Sequence, residues 1–142
     1  MGTRSRIGIK NQDGTIDSIY CHWDGYPSHN GVILNEHYNE EARVRELISL
    51  GSLSSLSPAI SPEEGTEHSF SSPQEGVCVF YGRDRGEQEV EPRQDSNFKE
   101  FMDQAGRSWE EWMYLFNTEN GQWEVAEVGD KVMRPLQDLI VN

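Results

Sequence analysis

A turn at residues 117–121 is the feature that most constrains the fold of this chain. Its sequence, NTENG, combines Asn and Gly, which adopt the backbone conformations that tight β-hairpin turns require. Large apolar side chains recur at every second residue on both sides of it, at Trp112, Tyr114, Phe116, Trp123 and Val125. Because side chains two residues apart in a strand lie on the same face, the pattern predicts a hairpin formed by residues 109–116 and 122–128.

A second pair of short alternating runs opens the chain. Residues 7–23 contain the turn sequence NQDG between two such runs, which predicts another hairpin. Ile19, Cys21 and Trp23 share one face of its second strand, so we expect all three in the core.

The remaining apolar runs predict a further strand and the helices. Residues 77–81 are apolar throughout, which is typical of a central strand covered on both faces. Helical spacing of apolar residues predicts helices in three places, within residues 33–50 as one helix or two, at residues 96–106 and at residues 132–141. Residues 52–76 and 82–94 are rich in Ser, Pro, Gly and charged residues, and they predict loops.

The order of these elements predicts one α+β domain over residues 1–142. We expect a mainly antiparallel sheet built from two hairpins and a central strand, with helices packed on one face. The length is common for a single domain, and two domains would each be short of core. Hydrophobic residues make up 35% of the chain, but four Trp, five Tyr and five Phe can still fill a modest core.

The chain is strongly acidic. Its 25 Asp and Glu residues exceed its 12 Lys and Arg residues, which gives a formal net charge of -13. Nucleic acids and anionic membranes are bound through clustered positive charge, so the composition argues against both as direct partners. A basic protein is the natural complement, although surface carboxylates also serve solubility alone.

The two cysteines and the hydropathy predict a cytoplasmic protein without disulfides. Cys21 and Cys78 lie in apolar strand-like runs without metal-ligand spacing, so we expect buried reduced thiols. No signal peptide opens the sequence, and no run approaches the roughly 20 apolar residues of a membrane-spanning helix.

The first candidate binding group is Tyr20, His22, Asp24 and Tyr26. If the strand continues, His22 and Asp24 lie on one face, where the carboxylate could orient the imidazole as a general base. With His29 they could also bind a divalent metal ion. The simpler interpretation is that both side chains hydrogen-bond the loop that ends the hairpin.

The second candidate group is Arg83, Asp84 and Arg85, between two glycines that follow the predicted central strand, with Glu87 directly after the second glycine. Guanidinium groups in such a loop could bind a phosphate or carboxylate. Alternatively, the arginines pair with neighbouring acids in a solvated turn. We expect the two candidate groups to lie close together and to form one composite site.

Signatures of catalysis and of cofactor binding are missing from the sequence. It contains no HExxH, no GxSxG, no P-loop and no paired cysteine ligands. We therefore predict no catalytic residue and no cofactor, and the sequence predicts no particular oligomeric state.

Several short blocks resemble a family of small, uncharacterised proteins of tailed bacteriophages and prophages. The blocks are the opening MGTRS, YCHWDGY at residues 20–26, HSF at 68–70, PQEGV at 73–77 and YGRDRGE at 81–87. The resemblance covers, in patches, the first part of the chain up to Glu87.

The resemblance implies a context for function. A phage accessory protein of this size commonly binds and modulates a host protein in the bacterial cytoplasm, for host takeover or counter-defence, without catalysis. Two alternatives stay open: a binder that sequesters a small phosphorylated ligand through Arg83, Arg85 and the His22 side of the sheet, and a metal-assisted hydrolase that uses His22 and Asp24.

Overall fold

A computed structural model describes residues 2–107 and 109–140, and eight strands within these ranges form one mixed sheet. The strands are β1 (Ser5–Lys10), β2 (Ile16–Cys21), β3 (Leu53–Ser55), β4 (Val79–Phe80), β5 (Arg93–Asp95), β6 (Trp112–Asn117), β7 (Gln122–Glu127) and β8 (Arg134–Pro135). Their order is β4-β3-β2-β1-β6-β7-β8, and β5 also pairs with β2. The predicted α+β class and the mostly antiparallel character of the sheet are confirmed.

β1 is the strand around which the sheet is arranged. It pairs antiparallel with β2 and parallel with β6, each time along its whole length. The side chains of Ile7 and Ile9 lie on one face of the sheet, and Arg6 lies on the other because side chains alternate along the strand. Gly8 belongs to the face of Arg6 but has no side chain. This alternation places apolar side chains on one face and leaves Gly8 as a flat position on the other.

Helices cover both faces of the sheet. They are a π-helical turn (Pro27–Gly31) and the α-helices α1 (Val32–His37), α2 (Glu41–Ser49), α3 (Tyr81–Arg85), α4 (Phe98–Arg107) and α5 (Gln137–Ile140). No helix in the described ranges has the length and apolar character needed to cross a bilayer.

The prediction that the helices pack on one face is wrong. On the face of Ile7 and Ile9, the core includes Leu34 of α1 and Val44 of α2. The opposite face has its own apolar cluster, which contains Ile16, Phe101, Ala105, Met113, Leu115 and Ala126. A Cβ atom on Gly8 would lie 3.3 Å from the ring of Phe101, so α4 packs directly where β1 has no side chain.

The segment predicted as the central strand lies at an edge of the sheet. β4 is at one end of the strand order, where it pairs with β3 through Phe80 and Val79. Both residues are nevertheless buried, and just before the strand Val77 forms a parallel bridge to Ala59. The uniformly apolar sequence of this segment therefore predicted correctly that β4 is buried, but the prediction that it lies at the centre of the sheet is wrong.

Three other predicted segments differ from the structure. The loop at residues 52–76 contains β3, and the loop at residues 82–94 contains part of α3 and the start of β5. Within residues 132–141, β8 precedes the short helix α5; residue 141 lies outside the described residues. These strands are only two or three residues long, which is too short for an alternation of apolar and polar side chains to show in the sequence. They are defined by their pairing with neighbouring strands.

Both cysteines are buried free thiols, as predicted. Burial raises the pKa of the Cys21 thiol to about 12 and also raises that of Cys78. The Cys78 sulfur lies 3.2 Å from the Ser57 carbonyl oxygen and 3.4 Å from the Tyr38 hydroxyl. Neither thiol is therefore available as a nucleophile at neutral pH.

Trp23 is not in the core, contrary to the prediction from strand alternation. β2 ends at Cys21, so the face that Ile19 and Cys21 share does not extend to Trp23. The indole is 43% exposed. Its position on the surface makes it available for contact with another molecule.

The exposed Trp23 and the buried Phe116 allow a direct test of this arrangement. We expect Phe116→Ala to lower the free energy of unfolding by about 3–5 kcal/mol, as large core truncations do. Trp23→Ala should cost about 1 kcal/mol or less, in keeping with a largely surface residue. Urea unfolding of both variants measures the difference, and equal costs would contradict the placement of Trp23.

Candidate functional site

The loop that follows β2, residues 22–31, is held from beneath by a buried amide. Asn30 is fully buried, and its Nδ2 lies 3.4 Å from each of three acceptors, the Ser5 hydroxyl, the Cys21 sulfur and the Trp23 carbonyl. Its Oδ1 lies 2.9 Å from Nδ1 of His29. Because a buried amide without partners is costly, these contacts fix the loop backbone over β1.

Gly25 lies in this loop at a point where no side chain fits. A Cβ atom there would be 2.7 Å from Cβ of Ser5 and 2.8 Å from the Thr3 carbonyl oxygen. The Gly25 N–H donates to the Thr3 carbonyl at 2.8 Å. Its own carbonyl accepts from the Tyr114 hydroxyl at 2.6 Å, across 89 positions of sequence. The core thus holds the loop firmly from its inner side.

The outer side of the loop presents aromatic side chains and a carboxylate. Trp23 is 43% exposed and Tyr26 is 38% exposed. Asp24, between them, adopts a left-handed backbone with φ of 57°, and its Oδ1 accepts from the Tyr26 hydroxyl at 3.2 Å. The ring of His22 meets the Trp23 indole edge-on, with centroids 4.7 Å apart.

His22 is paired with Tyr20. Its Nδ1 lies 2.7 Å from the Tyr20 hydroxyl. Burial, together with the neighbouring charge of Arg4, lowers the pKa of His22, and burial raises the pKa of the Tyr20 hydroxyl. Both groups are therefore neutral at physiological pH.

The arrangement of His22, Asp24 and His29 does not make a metal site or a base pair of imidazole and carboxylate. His22 contacts Tyr20, Asp24 accepts from Tyr26, and His29 contacts Asn30. Within residues 2–107 and 109–140, no three His, Cys, Asp or Glu side chains are grouped so that they could hold a metal ion. The predicted shared face is lost because β2 ends before His22.

Arg83, in the second candidate group, is bound within the protein. Its Nη1 donates to the Ile60 carbonyl at 2.8 Å, and its Nη2 donates to the Cys78 carbonyl at 3.0 Å. Its Nε donates to Asp84 at 2.9 Å, and the guanidinium lies over the Phe80 ring. Its donors are thus directed to this chain, which leaves little of the group for a phosphate.

The other charged residues of α3 also pair locally. Burial alone would raise the pKa of Asp84, but hydrogen bonds from Arg83 and the Phe80 N–H, together with the charge of Arg83, lower it. Arg85 lies over the ring of Phe70 and 3.9 Å from the Glu87 carboxylate. The predicted pairing with neighbouring acids is confirmed for Arg83 and Arg85, but the segment is the helix α3, in which the Asp84 side chain is buried, and not a solvated turn.

His68 is a structural residue that the sequence analysis did not single out. Its Nδ1 accepts from the Gln74 N–H at 2.9 Å, which places the ring proton on Nε2. Nε2 lies 3.1 Å from the Cys78 carbonyl and 3.3 Å from the Asp84 carboxylate. The buried ring therefore ties the long segment before β4 to α3. Only its place in the HSF block marked it in the sequence.

The two candidate groups are predicted to lie close together, but of the first group only Tyr20 lies beside the second. The Tyr20 N–H donates to the Ser52 hydroxyl, and the Tyr81 N–H donates to the Ser52 carbonyl, both at 3.2 Å, so Tyr20 lies beside the start of α3. Asp24 and Tyr26 instead lie in the loop held over β1, and Arg83 lies beyond β4. The groups diverge because β3 is inserted between β2 and β4 in the sheet.

Exposed apolar residues of distant segments lie at the same end of the sheet. Backbone pairing forms a row there from Cys21 through Ser5 and Trp112 to Glu127. Three exposed residues lie just outside this row: Trp23 after Cys21, Trp109 before Trp112 and Val128 after Glu127. With Tyr26 of the same loop as Trp23, we call them the sheet-end surface.

The residue after Trp109 belongs to a buried ion pair between Arg6 and Glu110. The indole is 77% exposed, and its backbone has a φ of 70°, which is unusual for a bulky residue. The next residue, Glu110, is buried, and its Oε1 accepts from Arg6 Nη1 at 3.2 Å. Arg6 Nε also donates to Ser18 at 2.9 Å. The pair anchors the start of β6, and with it the position of Trp109.

Burial has opposite effects on the two partners. It raises the pKa of Glu110 despite the charge of Arg6, and it lowers the pKa of Arg6, as does the charge of Arg93. Arg93 pairs with Asp95 at 3.1 Å on β5. Among the described residues, Oε2 of Glu110 is buried without a hydrogen-bond partner. The carboxylate is thus held with less than full compensation for its desolvation.

Comparison with known proteins finds no counterpart. The chain matches no family model, no curated protein and no solved structure. What it binds has to be inferred from the chemistry of the sheet-end surface and from the charge of the chain.

Glu110→Gln removes the buried titratable group. Because the folded pKa of Glu110 is raised, the folded protein takes up a proton there before the unfolded chain does as pH falls. We expect the stability of the wild type relative to Glu110→Gln to increase as pH falls from the neutral range towards about 4.3, the ordinary Glu value.

Chemical denaturation at several pH values measures this difference. Glu111→Gln is the control, because it removes one exposed carboxylate from the same segment. A wild-type advantage that stays constant or shrinks as pH falls would show that the Glu110 carboxyl is not destabilised by burial.

Proposed function

We propose that this chain is a non-enzymatic binding protein that modulates another protein through the sheet-end surface. The observation that carries the proposal is the gathering of two exposed Trp side chains, a Tyr and a Val from distant segments at one end of the sheet. Trp and Tyr supply much of the binding energy at protein interfaces, and clustered exposed apolar residues often mark such sites.

The scaffold beneath these residues supports the same function. Asn30 and Gly25 hold the loop that carries Trp23, and the Arg6–Glu110 pair holds the segment that carries Trp109. A surface whose backbone is already ordered loses less conformational entropy when a partner binds. Aromatic side chains on an ordered backbone are therefore better suited to binding a partner than the same side chains on a flexible segment would be.

The charge of the chain favours a basic partner. The net charge is -13, and Glu87, Glu89 and Glu91 are exposed in the segment after α3. Complementary charge accelerates encounter and disfavours acidic competitors. It also disfavours nucleic acid as the direct partner.

We further propose that the protein is an accessory factor of a tailed phage or prophage that acts on a host protein in the bacterial cytoplasm. Host takeover and counter-defence are the two roles that fit this context. The support is the resemblance of the sequence blocks. YCHWDGY supplies Trp23, Asp24 and Tyr26, and YGRDRGE forms α3 beside Tyr20.

The alternatives have weaker support. A phosphate binder would need free guanidinium groups, but Arg83 donates to Ile60, Cys78 and Asp84. A metal-assisted hydrolase would need His22 and Asp24 to act together, but each has a different partner. We therefore favour the binding protein.

Capture from bacterial lysate by the immobilised protein tests the proposal. We expect Trp23→Ser combined with Trp109→Ser to weaken capture of the specific partner by at least about 30-fold, since a hot-spot truncation costs about 2 kcal/mol or more. Quantitative mass spectrometry measures the loss.

Gln12→Ala is the control, because Gln12 is exposed in the turn at the opposite end of the sheet. It should capture the partner as the wild type does. If the double Trp variant still captures the partner, the binding surface lies elsewhere on the molecule.

The salt dependence of association tests the role of the acidic residues. Replacing Glu87, Glu89 and Glu91 by Gln should slow association and flatten its dependence on salt, because exposed charges are screened over about 8 Å at physiological ionic strength. Surface plasmon resonance with the captured partner measures both quantities. The matched control variant replaces Glu63, Glu64 and Glu67 by Gln. It changes the net charge by the same amount at a different exposed segment. An association rate independent of salt would leave the carboxylates a solubilising role only.

A further inference from the structure

We propose that Trp23, Asp24 and Tyr26 form a receptor for one arginine side chain of the protein partner. The proposal rests on the proposed function and names the chemical group that this part of the sheet-end surface takes. A guanidinium would contact the Asp24 carboxylate and lie against the exposed aromatic rings on either side of it in sequence.

Asp24 supplies the negative charge of the receptor. Its carboxylate accepts from the Tyr26 hydroxyl at 3.2 Å, and its backbone is left-handed, with φ of 57°. Seven ion pairs occur in the described part of the chain, and Asp24 takes part in none of them. The carboxylate thus keeps acceptor capacity for a cation from outside.

The aromatic rings of Trp23 and Tyr26 carry no arginine of this chain in the described ranges. Three other rings each carry an arginine of this chain at 4.8 Å from the centroid: Arg43 over Tyr38, Arg83 over Phe80 and Arg85 over Phe70. No such contact is formed by Trp23 or Tyr26 within the described ranges, although both are exposed. Trp is the aromatic residue that attracts cations most strongly, so the partly exposed indole complements a carboxylate that pairs with no cation of the described chain.

The surroundings favour arginine over other groups. His22, which packs on Trp23, is neutral at physiological pH, so it adds no positive charge to that of the neighbouring Arg4. The net charge of -13 attracts basic residues. A guanidinium stacks on aromatic faces and binds carboxylates through a planar fork, whereas an ammonium is more strongly hydrated. The surface therefore fits arginine better than lysine.

Amide NMR spectra of the ¹⁵N-labelled full chain, titrated with the peptide acetyl-Gly-Arg-Gly-amide, test the proposal. We expect saturable shifts at the Trp23 indole N–H and at the amides of Asp24 and Tyr26. The same peptide with citrulline, which has the arginine shape without its charge, should cause no saturable shift. The lysine peptide should bind more weakly than the arginine peptide.

Variants at the receptor give the expected magnitude. Asp24→Asn should weaken the arginine peptide about fivefold, in the range of exposed ion pairs, and Trp23→Leu should weaken it about three- to fivefold. Asp24→Gly gives a second test with the left-handed backbone preserved, because glycine adopts positive φ freely. Glu119→Gln is the matched control at the opposite end of the sheet, and it should bind as the wild type does.

The outcomes separate this proposal from the function on which it rests. Equal binding of the arginine and citrulline peptides, or no shift at Trp23, would overturn the arginine receptor. If the lysate partner is then still lost on the double Trp23 and Trp109 substitution and retained by Asp24→Asn, the binding function stands without it. Loss of the partner on Asp24→Asn, together with arginine-specific shifts, supports both.

Discussion

The parallel pairing of β1 with β6 is the interaction on which the rest of the structure depends. It joins the two ends of the chain in register, with Ser5 opposite Trp112 and Ile9 opposite Phe116. Without it, the sheet would divide into two smaller sheets, β4-β3-β2-β1 with β5 and β6-β7-β8, each with an additional unpaired edge. The pairing gives the core one continuous face, and it also puts Trp23 and Trp109 at the same end of the sheet.

Buried polar groups determine how that end is presented to solvent. Asn30 and the Tyr114 hydroxyl direct the loop after β2, and Arg6 with Glu110 directs the segment before β6. Burying such groups is expensive, and apolar replacements are often at least as stable as a buried ion pair. Their advantage is directional, because hydrogen bonds specify a geometry that apolar contacts leave open. We interpret them as the means by which exposed aromatic side chains are kept in place.

Sequence patterns predicted the longer elements well and the short ones badly. The turns at residues 11–14 and 117–121 lie between antiparallel partners, and the helices around Leu34, Val44 and Phe101 occur where the spacing indicates. β3 and β5 were missed because three polar-rich residues have no period. Of the site, the YCHWDGY loop was identified, but Trp23 was placed in the core, and Trp109 was treated as part of a strand. The chain leaves the pleat after Cys21, and no local pattern reports that.

By itself the sequence determined the acidity, the turns, the alternation within the long strands and the α+β class, because these follow from the residues and their near neighbours. Only the tertiary structure decided strand order, the edge position of β4, the use of both faces and the gathering of the sheet-end surface. It also decided that the Arg83 guanidinium donates to carbonyl groups of this chain, since its acceptors Ile60 and Cys78 come from other segments. The physical reason is range: periodicity and turn propensity act over a few residues, whereas pairing, burial and ion pairing depend on which distant segments meet.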